Sequence, residues 1–298
     1  MGLPGFEELV SWADERRPRV PVVAAGAADA TVLVALTKAA ARGWVVPILA
    51  GNRVEIEEAA ESCGVDLGAM RIVEGAAPAV AAVAEVRSGA ARLLMKGQVD
   101  TPALLKAILS ADSGLRTDRA ICQVVLMEIV DQQRRFLLAD TGIMIHPSLE
   151  QKACVVKSVV ETARHLGILV PRIAVVAATE KEDSAMPETL DASELQRRGE
   201  QGEFGEAFVQ GPLSFDLAYA IDAAAKKHIT GTVTGAADAL VFPNLVSANL
   251  TVKAIMYTAH CRFGGVLKGA GCPVVFMSRA DSVETRLNSL ALAIAMVR

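Results

Sequence analysis

Ser278-Arg-Ala-Asp-Ser282 places a hydroxyl, a guanidinium and a carboxylate between the apolar run Val274-Val-Phe-Met277 and a long amphipathic segment. A strand ending there and a helix beginning there would offer an anion free N–H groups, the positive end of a helix dipole and, from Arg279, a planar fork of donors. Three other stretches carry comparable chemistry. In Met95-Lys-Gly97-Gln98 a strand ends on a lysine and a glycine, and Thr101-Pro102 opens the next helix with proline in its first turn. Lys96 and the backbone at Gly97 can hold a phosphate there, or be a surface lysine beside a turn glycine. Asp140-Thr-Gly-Ile-Met-Ile-His-Pro147 puts Asp140 and Thr141 just after a strand, where Asp140 also suits the N–H groups of a turn. Pro243-Asn-Leu-Val-Ser-Ala-Asn249 opens a helix with polar Ser247 and Asn249, and Lys253 follows one turn beyond. These residues either satisfy the helix start or line a cleft. Asp216, in Gly211-Pro-Leu-Ser-Phe-Asp216, reads as a helix cap.

Other chemistries find less support. The four histidines, His146, His165, His228 and His260, form no i, i+4 pair, and no H-E-x-x-H or C-x-x-C occurs, so no catalytic metal is expected. The five cysteines, Cys63, Cys122, Cys154, Cys261 and Cys272, sit in apolar runs and read as reduced thiols rather than nucleophiles. Gly269-Ala-Gly271 is a partial dinucleotide fingerprint that follows rather than opens a strand–helix turn, and its glycines read as turn residues.

The elements that must position these residues alternate. Apolar runs at Val20–Ala25, 45–50, 71–73 and 92–95 are separated by helical patterns at 29–42, 54–62 and 79–87, which implies a parallel sheet covered on both faces. A helix at Thr101–Leu109 follows. The runs at 120–129 and 135–139 are then close enough for a hairpin, an antiparallel pair in an otherwise parallel sheet. From the Ser148 cap a second α/β block begins. It carries a helix to Leu166, strands at 172–177, 207–209 and 239–242, and helices at 215–227 and 248–262, with 179–206 mixing helix and loop. The expected layout is two lobes, 1–143 with 265–298 and an inserted 144–264, with a ligand in the cleft between them.

The bulk composition narrows the partners. Aromatic residues are 4% and the net charge is −4, with no basic stretch, so no nucleic-acid surface is expected and an anionic ligand must be met by locally placed Lys and Arg. No apolar run is long enough to span a bilayer and the start reads as no signal peptide, so a cytoplasmic location away from membranes is expected.

Five segments in this order resemble the phosphate acetyltransferase/phosphate butyryltransferase family. They are Met95-Lys-Gly, Asp140-Thr-Gly with Pro147-Ser-Leu-Glu-Gln-Lys152, Gly211-Pro-Leu-Ser-Phe-Asp216, Asp238-Ala-Leu-Val-Phe-Pro-Asn with Ser247-Ala-Asn-Leu-Thr-Val-Lys253, and Ser278-Arg-Ala-Asp-Ser282. The M-K-G and S-R-A-D-S forms are closer to the butyryl branch, and the resemblance runs from about Val20 to the C-terminus. It implies a two-lobed, three-layer α/β/α fold of the isocitrate-dehydrogenase type with the second lobe inserted into the first. It also implies reversible transfer of a short acyl group between coenzyme A and inorganic phosphate, both bound as substrates, with no cofactor, metal or covalent acyl-enzyme, in a homodimer or larger oligomer. Carried over by position, Ser278 and Arg279 match the family's phosphate-binding Ser-Arg, and Lys96, Gly97, Asn249 and Lys253 fall on segments that line its cleft. In the acetyl branch the proposed base is an Asp seven residues beyond that serine. Here the position is Thr285, which leaves Asp281 and Glu284 as the nearest carboxylates. Two other readings of the fold are a non-catalytic acyl-CoA-binding regulatory module and a nicotinamide-dependent dehydrogenase.

Overall fold

The computed structural model describes every residue except Met1, Ala69, Ala76, 112–114, Arg279 and Arg298. After helix α1 (Phe6–Glu15) come β1 (Val20–Ala25), α2 (Ala30–Ala41), β2 (Val45–Gly51), α3 (Arg53–Cys63), β3 (Arg71–Glu74), α4 (Pro78–Arg87), β4 (Leu93–Lys96) and α5 (Thr101–Leu109). Helix starts follow local chemistry. Asp29 and Asn52 cap α2 and α3 by accepting from the Val32 and Glu55 amides, and α4 and α5 carry proline in the first turn. Strands β1, β2 and β4 are short, mostly apolar and parallel, as expected of strands covered on both faces.

The hairpin forms as expected, from β5 (Cys122–Ile129) and β6 (Arg134–Ala139), with Ile129 opposite Arg134. Next come α6 (Leu149–His165), β7 (Arg172–Val176), α7 (Pro187–Glu200), β8 (Phe208–Leu213), α8 (Phe215–Tyr219), α9 (Ile221–Lys227), β9 (Ala239–Val241) and α10 (Leu245–Thr258). A capping box starts α6, with Ser148 accepting from the Gln151 amide and the Gln151 side chain accepting from the Ser148 amide.

The expected single helix over 215–227 is broken at Ala220. The Leu217 and Ala218 carbonyls, which a continuous helix would use internally, instead accept from the Gly235 and Ala237 amides. Asp216 does not cap this helix; Ser214 holds the cap position, and Asp216 pairs with Lys227 in the first turn.

The helix expected over 248–262 begins at Leu245, because the Asn244 side chain accepts from the Ser247 amide, and ends at Thr258. Its expected last residues belong instead to a strand, β10 (Cys261–Lys268), which pairs antiparallel with β11 (Val274–Val275). Gly264 and Gly265 disguise β10 as a turn. A Cβ at Gly264 would lie 2.9 Å from the Ser289 amide nitrogen, so that glycine is set by close backbone approach. Ser289 lies on α11 (Val283–Ala295), which Ser282 caps by accepting from the Thr285 amide.

The chain divides into two compact units. One comprises Phe6–Ile121 with Phe263–Arg298, and the other Met1–Gly5 with Cys122–Arg262. The expected boundaries were 143/144 and 264/265. The first lies earlier because β6 pairs with β9, which carries the whole hairpin into the second unit. Strand order in the first unit is β3-β2-β1-β4-β11-β10, and in the second β5-β6-β9-β7-β8. Both are mixed sheets, parallel except at β10–β11 and β5–β6. In the first unit α11 packs against α1 and α2, and α4 packs against α5, as two helical layers over one sheet. Among the described residues, no helix is long and apolar enough to cross a membrane.

Candidate active site

In the first unit the candidate residues gather at the carboxyl ends of β1, β4 and β11, the end at which open α/β sheets bind ligands. The β4 and β1 ends are in direct contact. The Gly97 amide donates to the Ala25 carbonyl at 2.9 Å, and the Gln98 amide donates to the Gly26 carbonyl at 2.7 Å. A Cβ at Gly97 would sit 2.1 Å from the Gly26 oxygen, so no other residue fits this approach. Lys96 is buried, with Nζ 3.4 Å from the Gly97 carbonyl oxygen.

The turn after β11 closes on Ser278. Its amide donates to Asp281 Oδ2 at 2.7 Å, its Oγ accepts from the Ala280 amide at 3.3 Å, and its carbonyl accepts from the Asp281 amide at 3.2 Å. Ser278 is exposed, and Glu284 is exposed on the first turn of α11. Of the two carboxylates nearest the absent family base, Asp281 already serves as an acceptor inside the turn. Position 285 faces its own cap, with Thr285 Oγ1 3.0 Å from Ser282 Oγ. Arg279 lies outside the described residues.

Behind this turn lies a residue that the sequence reading passed over. Arg286, on α11, is only 2% exposed. Its Nε donates to Thr31 Oγ1 at 2.8 Å, and a terminal nitrogen approaches the Ser278 carbonyl at 3.4 Å. Thr31 Oγ1 donates to Asp29 Oδ1 at 2.5 Å, and Gln98 Nε2 donates to Asp29 Oδ2 at 3.1 Å. Burial lowers the Arg286 pKa, against the pull of Asp29 and Asp281. Burial works against charge on Asp29, but the Thr31 hydroxyl, the Val32 amide and Arg286 hold its carboxyl below the usual range. The available signal was a lone arginine one turn before the apolar residues 290–294 of a buried helix, where a charge needs a partner.

In the second unit Asp140 follows β6 and is buried. Its Oδ1 accepts from the Gln123 amide at 2.8 Å and the Gly142 amide at 3.2 Å, and its Oδ2 from the Met144 amide at 2.6 Å. Burial raises its pKa, and the backbone donors at Gln123, Met144, Gly142 and Ile143 oppose that rise. Thr141 is 4% exposed, and its Oγ1 is buried with no hydrogen-bond partner among the described residues. The Thr141 carbonyl lies 3.5 Å from Asn249 Nδ2 on α10, and Lys253 is exposed one turn further along that helix. Asp140, Thr141 and Asn249 therefore form one cluster.

A separate cavity of about 490 Å³ lies in the second unit, among α7, β8 and residues 230–233, and none of the candidate residues lines it.

Comparison with known proteins follows the same lines. A family model described as Phosphate acetyl/butaryl transferase matches residues 75–294. A phosphate butyryltransferase of Clostridium beijerinckii is 36% identical, with 97% of this chain and 96% of that enzyme covered. A phosphate acetyltransferase of Rhizobium meliloti is 35% identical, over 97% and 92%. The crystal structure of a branched-chain phosphotransacylase from Enterococcus faecalis V583 superposes with a TM-score of 0.83 at 30% identity, covering 94% of this chain and 99% of that one.

Proposed function

The chain belongs to the phosphate acetyl/butyryl transferase family, and from that premise we propose that it moves a short acyl group reversibly between coenzyme A and inorganic phosphate through a ternary complex. Both molecules are substrates, and the reading assigns no cofactor or metal. The supporting observation is the Ser278 turn, a strand-to-helix junction with an exposed serine hydroxyl, the start of α11 and a buried guanidinium behind it.

Ser278 Oγ already accepts from the Ala280 amide, so the hydroxyl proton is the group's donor to a ligand. In the reading proposed here, Arg279 holds phosphoryl oxygens, and Ser278 donates to the phosphate or to the acyl carbonyl oxygen. Negative charge grows on that carbonyl oxygen as the tetrahedral state forms, and a positioned donor there is worth about 2.7–4 kcal/mol. In the direction that forms acyl-CoA, the coenzyme A thiol, with an ordinary pKa of about 8.5, must lose its proton before attack. Asp281 and Glu284 are the carboxylates assigned to accept it. The carbon–sulfur bond forms as the carbonyl π pair moves onto oxygen, and when the tetrahedral state collapses the bond from carbonyl carbon to phosphate oxygen breaks and phosphate leaves with its electron pair.

Lys96 and the Gly97 backbone are assigned to substrate phosphate groups. Asp140, Thr141, Asn249 and Lys253 are assigned to substrate binding, with the unpartnered Thr141 hydroxyl as the clearest donor.

Arg279→Ala is expected to lower kcat/KM by about a hundredfold or more with unfolding unchanged; near wild-type turnover would sink the assignment. Asp281→Asn and Glu284→Gln separate the two candidate bases, because only one should lose the high-activity limb of the pH profile.

A further inference from the structure

Arg286 is a long cation packed inside a helix face whose neighbours at 288–294 are all buried. Packing alone calls for Leu or Met at such a position, because a buried guanidinium is tolerated only when its hydrogens are matched. Its partners share a location. Thr31 and Asp29 stand at the start of α2, just after β1, while Ser278 and Asp281 stand just after β11. Gln98, directly after Lys96-Gly97, reaches the other oxygen of Asp29. One chain of side chains thus joins the turns that follow three neighbouring parallel strands, and its centre is the guanidinium.

We propose that Arg286 is a positioning residue for the phosphate-binding turn, acting through the Ser278 carbonyl oxygen to fix that turn against the Asp29–Thr31 corner and, through Gln98, against Lys96-Gly97. This rests on the reading of Ser278 and Arg279 as the phosphate site. The guanidinium is planar, with Nε and a terminal nitrogen committed in different directions, so it sets an orientation as well as a distance. Asp281 Oδ2 accepts from the Ser278 amide within the same turn. Removing the guanidinium therefore takes away the donor at the Ser278 carbonyl and loosens the turn there. Arg286 touches no substrate in this account.

The test compares the full chain with Arg286→Ala, Arg286→Lys and Thr31→Val. It reads steady-state KM for phosphate and for acyl-CoA, binding of inorganic phosphate by calorimetry, and thermal unfolding. Arg286→Ala is expected to raise phosphate KM and Kd by about tenfold or more, with acyl-CoA KM within about twofold of wild type. Arg286→Lys keeps charge without the fork and should fall between the two. Thr31→Val keeps the guanidinium but removes its Nε partner, so it should shift phosphate KM in the same direction by less, and it carries the test if Arg286→Ala fails to fold. Wild-type phosphate KM and Kd in Arg286→Lys and Thr31→Val, with only the melting temperature lowered, would reduce Arg286 to a packing residue while leaving the transferase reading intact. A wild-type protein that binds phosphate without turnover would remove the transferase reading, and the variants' phosphate Kd would still decide the role of Arg286. A wild-type protein that neither binds nor uses phosphate would overturn both.

Discussion

The turn after β11 and the turn after β6 both end a strand with a carboxylate that accepts backbone N–H groups, yet they are held by different physics. In the first, a buried guanidinium donates to the Ser278 carbonyl and to the Thr31 hydroxyl that holds Asp29, and order depends on side chains meeting from separate elements. In the second, the donors to Asp140 among the described residues are backbone amides, and burial pushes its pKa up where Asp29 is held down. Charge compensation by a distant side chain makes a site adjustable by single substitutions. A backbone cradle fixes geometry locally and leaves the Thr141 hydroxyl without a partner among the described residues.

The largest break in this comparison should come from Gly97→Ala. The new Cβ would meet the Gly26 oxygen at 2.1 Å and force apart the β1 and β4 ends on which the first cluster stands. A loss of about 2–4 kcal/mol in chemical denaturation is expected; an unchanged midpoint would show that those ends yield freely.

Next in size is a difference in sign. Asp29 has a depressed pKa, so its contribution to stability is present above the unfolded value near 4 and is lost as pH falls through the folded value. The stability gap between wild type and Asp29→Asn should therefore widen as pH rises through the acid range. Asp140 has a raised pKa, so its contribution is full below the unfolded value and declines as pH rises through the folded one. The gap between wild type and Asp140→Asn should narrow over the same range, superimposed on a loss of about 1–3 kcal/mol because an amide NH₂ opposes a backbone donor. Denaturation curves for the three proteins across the acid range read both slopes; two slopes of one sign would contradict the contrast.

Thr141→Val should have the smallest effect on stability. Replacing an unpartnered buried hydroxyl by a methyl of the same shape is expected to be neutral or stabilising by up to about 1 kcal/mol. Activity should fall by about tenfold if the hydroxyl serves substrate, and higher stability with lower activity is the signature of a group retained for function. Lower stability with full activity would assign Thr141 to the fold.

The sequence made the strand–helix rhythm legible because buried parallel strands are short apolar runs and because Asp29, Ser148 and Ser282 carry cap chemistry visible in their own neighbourhoods. It hid β10, whose Gly264 is dictated by Ser289, 25 positions away. It hid the break at Ala220, which depends on carbonyls taken by Gly235 and Ala237. At the candidate site the ordered motifs named Ser278, Lys96, Asp140 and Asn249. The Arg286–Thr31–Asp29 link was not legible, because Arg286 and Thr31 lie 255 residues apart and only the fold brings them together. Local rules reveal elements and motifs; contacts between distant elements decide what orients them.

Thiol release from acetyl-, butyryl- and longer acyl-CoA by the full chain, with and without inorganic phosphate, bears on the whole reading. Turnover that requires phosphate and yields one acyl phosphate per thiol released, falling away with longer acyl chains, is the expected result. Tight acyl-CoA binding with no phosphate-dependent thiol release would contradict it.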